Sequence, residues 1–66
     1  MNRFYAADVE VGDVLLIDGL NCTVIDVRSD RGSLLEIEYT YQDEYYDEQT
    51  ETLTLAHGSP VIITPR

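Results

Sequence analysis

Residues 13–27 read DVLLIDGLNCTVIDV, and this stretch decides the fold class. Two apolar runs, residues 14–17 and 22–27, flank the pair Asp18-Gly19. Asp followed by Gly readily takes the positive φ angles that a tight hairpin turn needs. The segment therefore predicts two antiparallel strands joined by a hairpin, with Cys22 buried inside the second strand.

Alternation of apolar and polar residues continues beyond this hairpin, with a period of two rather than that of a helix. Residues 35–41 alternate Leu, Ile and Tyr with Glu and Thr, which predicts a third strand with one apolar and one acidic face. Alternation resumes at residues 50–55 after the polar run 42–49, and the β-branched run 61–64 predicts a closing strand. These patterns predict one all-β domain over residues 1–66, a small five-stranded antiparallel SH3-like barrel.

The apolar faces of these strands predict a small core. Its expected members are Val11, Leu15, Ile17, Val24, Val27, Leu35, Ile37, Leu53, Leu55 and Ile63. Tyr39 and Tyr41 fall in register with Ile37, so we expect them to close one end of this core.

The first predicted strand is apolar on both faces, because Val14 and Leu16 alternate with the core residues of that strand. A solvated outer face would normally carry polar side chains. We therefore expect a cover over Leu16. The favoured cover is the amino-terminal segment with Phe4 and Tyr5, and the alternative is a second copy of the chain.

The charge balance restricts the class of partner. The chain has 13 acidic residues against four Arg and no Lys, giving a formal charge of -9. Binding to DNA or RNA requires cations that displace phosphate counterions, so direct nucleic-acid binding is disfavoured. An anionic membrane would repel the chain for the same reason. The charge instead predicts a basic protein surface as partner, with the chain itself a monomer or weak homodimer.

Cysteine usage and hydropathy predict a cytoplasmic location. The single Cys22 cannot form an internal disulfide, whereas small secreted domains usually carry several. The amino-terminal residues lack an apolar signal segment. No apolar run approaches the roughly 20 residues that span a bilayer, so we expect no membrane association.

Residues 7–27, ADVEVGDVLLIDGLNCTVIDV, resemble the first two strands of the amino-terminal SH3-like (KOW-like) barrel of the elongation factor P family. The matching features are Ala7-Asp8, Gly12, the apolar run 14–17, Asp18-Gly19 and Val24-Ile25. The resemblance implies the barrel fold and does not by itself carry an activity. In that family a modified basic residue stands at the tip of the loop after the second strand. The corresponding loop here is RSDRGS, residues 28–33, with Arg31 near its tip.

Constellations for metal binding or catalysis are incomplete. The carboxylates of residues 43–48 lack the spacing that wraps a loop around calcium. His57 has no second His or Cys nearby, as a zinc site would require. Ser59 and Cys22 belong to no recognisable nucleophile and base set. We therefore predict no catalytic residues, no metal, no cofactor and no enzymatic activity.

Residues 39–55, YTYQDEYYDEQTETLTL, hold four Tyr and five acidic residues with no basic residue. Tyrosine offers a large rigid contact area with a polar tip, which suits binding surfaces. Carboxylates spaced along such a surface can stand in for phosphates, and the rings for bases. The predicted partner-binding residues are Glu36, Glu38, Asp43, Glu44, Tyr45, Tyr46, Asp47 and Glu48.

These features predict a non-enzymatic, acidic protein-binding module. Its sharpest form is a DNA mimic, a phage-type inhibitor that occupies the basic groove of a host nucleic-acid-binding protein. One alternative is a structural or assembly module that self-associates and whose acidity serves solubility. Another is a stand-alone translation-factor-like barrel. Salt separates the first two, because ionic contacts weaken with ionic strength and apolar assembly does not.

Overall fold

The structure, a computed structural model, describes residues 4–64. Its strands are β1 (Phe4–Tyr5), β2 (Val14–Ile17), β3 (Leu20–Asp30), β4 (Leu34–Gln42), β5 (Glu48–Ala56), β6 (Pro60–Val61) and β7 (Ile63–Thr64), with a 3₁₀ helix at Ala6–Asp8. A five-stranded antiparallel sheet has the order β5-β4-β3-β2-β7, and β1 pairs with β6. The predicted all-β, five-stranded antiparallel architecture is confirmed. No helix within this part of the chain is long and apolar enough to cross a membrane.

The β2–β3 hairpin forms where Asp18-Gly19 predicts it. Ile17 pairs with Leu20, and φ is 50° at Asp18 and 80° at Gly19. Positive φ at both central residues is what a type I′ turn requires. The predicted second strand is too short, because β3 continues to Asp30 before the chain turns at residues 31–33.

A β-bulge interrupts β3 at Ile25. The register with β4 shifts between Val24 and Asp26, so Ile25 is the extra residue, and it is 44% exposed. A bulge reverses the alternation of side chains along the strand and bends it. Val24 and Val27 therefore both pack in the core, although their spacing would place them on opposite faces of a regular strand.

The sheet curls until β2 faces β5. Two strands separate β2 from β5 in the sheet, so a flat sheet would hold them about 14 Å apart. Nevertheless, Leu15 and Ile17 of β2 line one groove together with Leu53 and Leu55 of β5. Val61 of β6 packs against the same core. This is the bending that the predicted barrel class requires, with β5 and β7 as the two edges of the sheet.

Nine of the ten predicted core residues lie at least partly inside. The buried ones are Leu15, Val24, Leu35 and Ile37, and the half-buried ones are Ile17, Val27, Leu53, Leu55 and Ile63. The prediction for Val11 was wrong, since it is 60% exposed. It lies in a turn closed by the Asp13 N–H, which donates to the Glu10 carbonyl at 3.0 Å. Val9 is buried in its place, and Cys22 and Tyr39 are buried as predicted.

The outer face of β2 remains open. Phe4 and Tyr5 pair with β6 instead of lying over β2, and Leu16 is 41% exposed. The favoured prediction of a cover by Phe4 and Tyr5 was therefore wrong, and residues 1–3 of the same segment lie outside the described residues. Cover by a second copy stays a prediction. The single closing strand predicted at residues 61–64 is divided, because β6 pairs with β1 and β7 pairs with β2.

Truncating Ile37 to Ala should lower the free energy of unfolding by about 2 to 4 kcal/mol, because this side chain is fully buried. Ile25→Ala deletes the same atoms from the half-exposed bulge and should cost less than about 1 kcal/mol. Urea denaturation followed by circular dichroism measures both. Equal losses would show that the core is not centred on Ile37.

Candidate functional site

Residues 43–48, which we call the acidic turn, connect β4 to β5 and include the first residue of β5. The Asp43 carboxylate organises this turn. Its Oδ1 accepts hydrogen bonds from the backbone N–H of Tyr45 at 2.8 Å and of Asp47 at 3.0 Å. Its Oδ2 accepts one from the Gln49 side-chain amide at 3.0 Å. Desolvation raises the pKa of the Asp43 carboxyl, but these three hydrogen bonds outweigh it and lower the pKa below its ordinary value.

Tyr46 holds an unusual backbone conformation at the tip of this turn. The Tyr46 N–H donates to the Asp43 carbonyl at 3.0 Å, and its φ of 65° lies in the left-handed region. Hairpin loops of this kind normally place Gly there, and another residue costs about 1–2 kcal/mol. Tyr46 is 82% exposed, and Tyr45 is 75% exposed. Packing in the core therefore accounts for neither ring.

Glu36 and Glu38 lie on the outer face of β4, beside Arg28 of β3. The Arg28 guanidinium is 3.5 Å from each of these carboxylates and 2.6 Å from the carboxylate of Asp26. The two Glu therefore have a basic neighbour, because the strand register places Arg28 opposite Glu36. One Arg among three carboxylates leaves two negative charges unbalanced.

The predicted binding residues form two groups and not one continuous surface. Glu38 and Gln42 are four residues apart on β4, which is about 13 Å along a strand. That exceeds the Debye length of about 8 Å at physiological salt. The paired residues Thr40 and Thr50 lie between the groups. The carboxylates of the acidic turn make no ion pair with any cation among residues 4–64.

A concave polar surface adjoins the acidic turn. This depression, of about 590 Å³, is lined by residues of β3, β4 and β5, among them Thr23, Thr40, Gln42 and Glu48. Their hydroxyl, amide and carboxylate groups can hydrogen-bond to a polar or basic partner. The acidic turn lies beside this depression, so one macromolecular partner could contact both simultaneously.

Glu51 is a site residue that sequence reasoning missed. It lies opposite Tyr39 across the β4–β5 pair, and the Tyr39 hydroxyl donates to its Oε2 at 3.3 Å. Burial raises the pKa of the Cys22 thiol, and the carboxylates of Glu51 and Asp18 raise it further. A thiol held protonated is the opposite of an activated nucleophile. The signal for the contact between Tyr39 and Glu51 was that alternate residues of both strands share one inward face.

Side chains that bind metals do not gather within residues 4–64, where no group of three or more His, Cys, Asp and Glu is placed to hold an ion. His57 connects the loop after β5 to the rest of the fold, since its backbone N–H donates to the Ser33 carbonyl at 2.8 Å. Its ring Nε2 is buried and has no hydrogen-bond partner in this part of the chain.

Comparison with protein-family models, curated proteins and solved structures finds no match to this chain. The resemblance to the elongation factor P family thus stays a prediction. Arg31, expected near the tip of the loop after the second strand, lies exposed in the β3–β4 turn with a φ of 25°.

Tyr46→Gly should raise the free energy of unfolding by up to about 1 kcal/mol, because Gly takes the left-handed conformation without strain. Tyr45→Gly changes the neighbouring residue, for which φ is not positive, and should not stabilise. Urea denaturation of both variants provides the comparison. A destabilised Tyr46→Gly variant would show that the ring supports the fold after all.

Proposed function

We propose that this protein is a non-enzymatic binding module whose acidic turn contacts a basic surface of a partner protein. One observation carries the proposal. Tyr46 keeps an exposed ring in a backbone conformation that favours Gly, at the tip of a turn with four carboxylates. A residue that strains the backbone and adds nothing to the core points to a function for its side chain.

The acidic turn has the chemistry that recognises Lys and Arg. Carboxylates accept charge-assisted hydrogen bonds, which are stronger than neutral ones. The faces of Tyr45 and Tyr46 can stack against a guanidinium or an ammonium group. Because the Asp43 carboxylate already orders the loop backbone, binding requires little further ordering of the chain.

The sharper form of this proposal is a nucleic-acid mimic that inhibits a nucleic-acid-binding protein, as a phage-encoded inhibitor would. A groove that binds nucleic acid presents cations for phosphates and flat surfaces for bases. The acidic turn offers such a groove carboxylates in place of the phosphates and Tyr rings in place of the bases. The formal charge of -9 would also accelerate the encounter with a basic groove.

A specific observation favours a second candidate, an assembly module that pairs with another copy of itself. An apolar groove of about 400 Å³ runs between β2, β5 and β6. Leu16 at 41% and Ile62 at 60% exposure border it, and the Leu16 N–H donates to the Ile62 carbonyl at 3.0 Å. Covering this face would remove apolar surface from water, which is the main driving force of stable association.

Matched pairs of charge removals test the first candidate. Glu44→Gln with Glu48→Gln should weaken binding about tenfold and flatten its salt dependence, because both charges belong to the acidic turn. Glu36→Gln with Glu38→Gln removes the same charge beside Arg28 and should weaken binding less than about threefold. The binding partner is the protein that the immobilised chain retains from a cell lysate at low salt. Unchanged affinity and salt dependence in the first variant would reject the proposal.

Sedimentation velocity over a range of protein concentrations tests the second candidate. An assembly module should sediment as a dimer that high salt does not dissociate, because apolar contacts are not screened. Leu16→Ser with Ile62→Ser should then give a monomer. Leu20→Ser, a similarly exposed position outside the groove, should keep the dimer. A wild-type chain that is monomeric throughout would exclude this candidate.

A further inference from the structure

The outer side of β5 is an open sheet edge. β5 has nine residues and pairs with β4 without a bulge. The other edge, β7, has two residues and lies in the sequence between Pro60 and Pro65. Natural sheets protect their edges with short strands, proline, bulges or charges. The short, proline-flanked strand is at the β7 edge, whereas among the described residues the protection along β5 comes from its carboxylates.

The hydrogen bonds at both ends of the β4–β5 pair show which backbone groups face outward. The Asp43 N–H donates to the Asp47 carbonyl, and the His57 N–H donates to the Ser33 carbonyl. Residues of an antiparallel pair alternate between facing the partner strand and facing away. The backbone N–H and C=O groups of odd-numbered β5 residues therefore point toward β4, and those of even-numbered residues point outward, away from the sheet. Within residues 4–64, the outward N–H and C=O groups of Glu48, Thr50, Thr52 and Thr54 make no backbone hydrogen bond to another strand.

We propose that this edge accepts an extended, basic segment of the partner protein as an additional antiparallel or parallel strand. The inference rests on the proposed function, since it takes the same basic partner and specifies how that partner is held. Strand addition derives affinity from main-chain hydrogen bonds and specificity from alternate side chains. Four of the five outward residues of β5, Glu48, Thr50, Thr52 and Thr54, supply the main-chain groups for such a strand, whereas the Ala56 carbonyl already accepts from the Ser59 N–H.

Charge complementarity selects a basic segment over a second copy of the chain. Glu48 and Glu51 lie on β5, and the acidic turn leads directly into it. The Arg residues of the described part, Arg28 and Arg31, lie on β3 and in the β3–β4 turn. Pairing of β5 with a second β5 would bring together two chains of formal charge -9, whereas Lys and Arg would relieve the repulsion.

The inward face of β5 further defines the segment. Along this face the side chains change from Gln49 and Glu51 near the acidic turn to Leu53 and Leu55 at the other end. An added strand places its own side chains beside these. The segment that fits best therefore carries Lys or Arg beside Glu51 and an apolar residue beside Leu53.

Amide hydrogen exchange by NMR tests the proposal with a synthetic probe, a peptide of about ten residues that alternates Lys with Thr in one half and Val with Thr in the other, long enough to span the strand. In the free protein, the amides of Thr50, Thr52 and Thr54 should exchange fast, and those of Glu51 and Leu53 slowly. Saturating peptide should slow exchange at the three Thr by about tenfold or more. A peptide N-methylated at every residue keeps the charge but loses the N–H donors of both edges, and it should not protect them.

Thr52→Pro removes an outward N–H at an edge position where proline is tolerated, and it should weaken peptide binding about tenfold. Thr52→Val keeps that N–H and should bind within about twofold of the wild type. If the unmethylated and N-methylated peptides bind with equal affinity and neither protects the β5 amides, the proposal of strand addition at the β5 edge is rejected. The acidic turn then remains as the binding site. No binding at all would overturn both proposals. If the β5 amides become protected as the protein concentration is raised without peptide, the occupant of the edge is a second copy of the chain. That result would reject the basic segment as the occupant.

Discussion

The bulge at Ile25 is the constraint on which this fold depends. β3 is shared, since its residues 20–23 pair with β2 and its residues 23–30 pair with β4. A regular strand would turn either Val24 or Val27 away from the core, because the two are three residues apart. The extra residue puts both on the inner face and bends the strand where the sheet must curl. A chain of 66 residues has few apolar side chains to lose, so both contacts matter.

Local chemistry explains which parts of the fold could be predicted. Asp18-Gly19 takes positive φ angles almost regardless of its surroundings, and the alternation in residues 35–41 identifies a strand with one buried face. The bulge leaves no such mark, because Ile25 is as suited to a regular strand as its neighbours. The pairing of Phe4 with Val61 depends on residues distant in sequence, so no local pattern announces it. The prediction that Val11 is buried was wrong because a turn interrupts the alternation at that point.

The candidate site was predictable in composition and not in arrangement. The exposure of Tyr45 and Tyr46 follows from two adjacent rings in a polar turn, which cannot both enter a small core. The contact of Arg28 with Glu36 depends on the pairing register of β3 with β4. No local sequence pattern specifies that register. The same register is why the acidic residues of β4 are partly balanced, whereas those of the acidic turn are not.

Edge protection and partner choice are linked through the same carboxylates. Five of the 13 acidic residues lie in the nine positions 43–51, beside the long open edge of β5. A domain that needed charge only for solubility could carry it anywhere on its surface. Placed here, the carboxylates discourage pairing of β5 with its own copies, because like charges on adjacent strands repel. They do not discourage a basic strand, so the device that keeps the edge from self-association also selects which partner can use it.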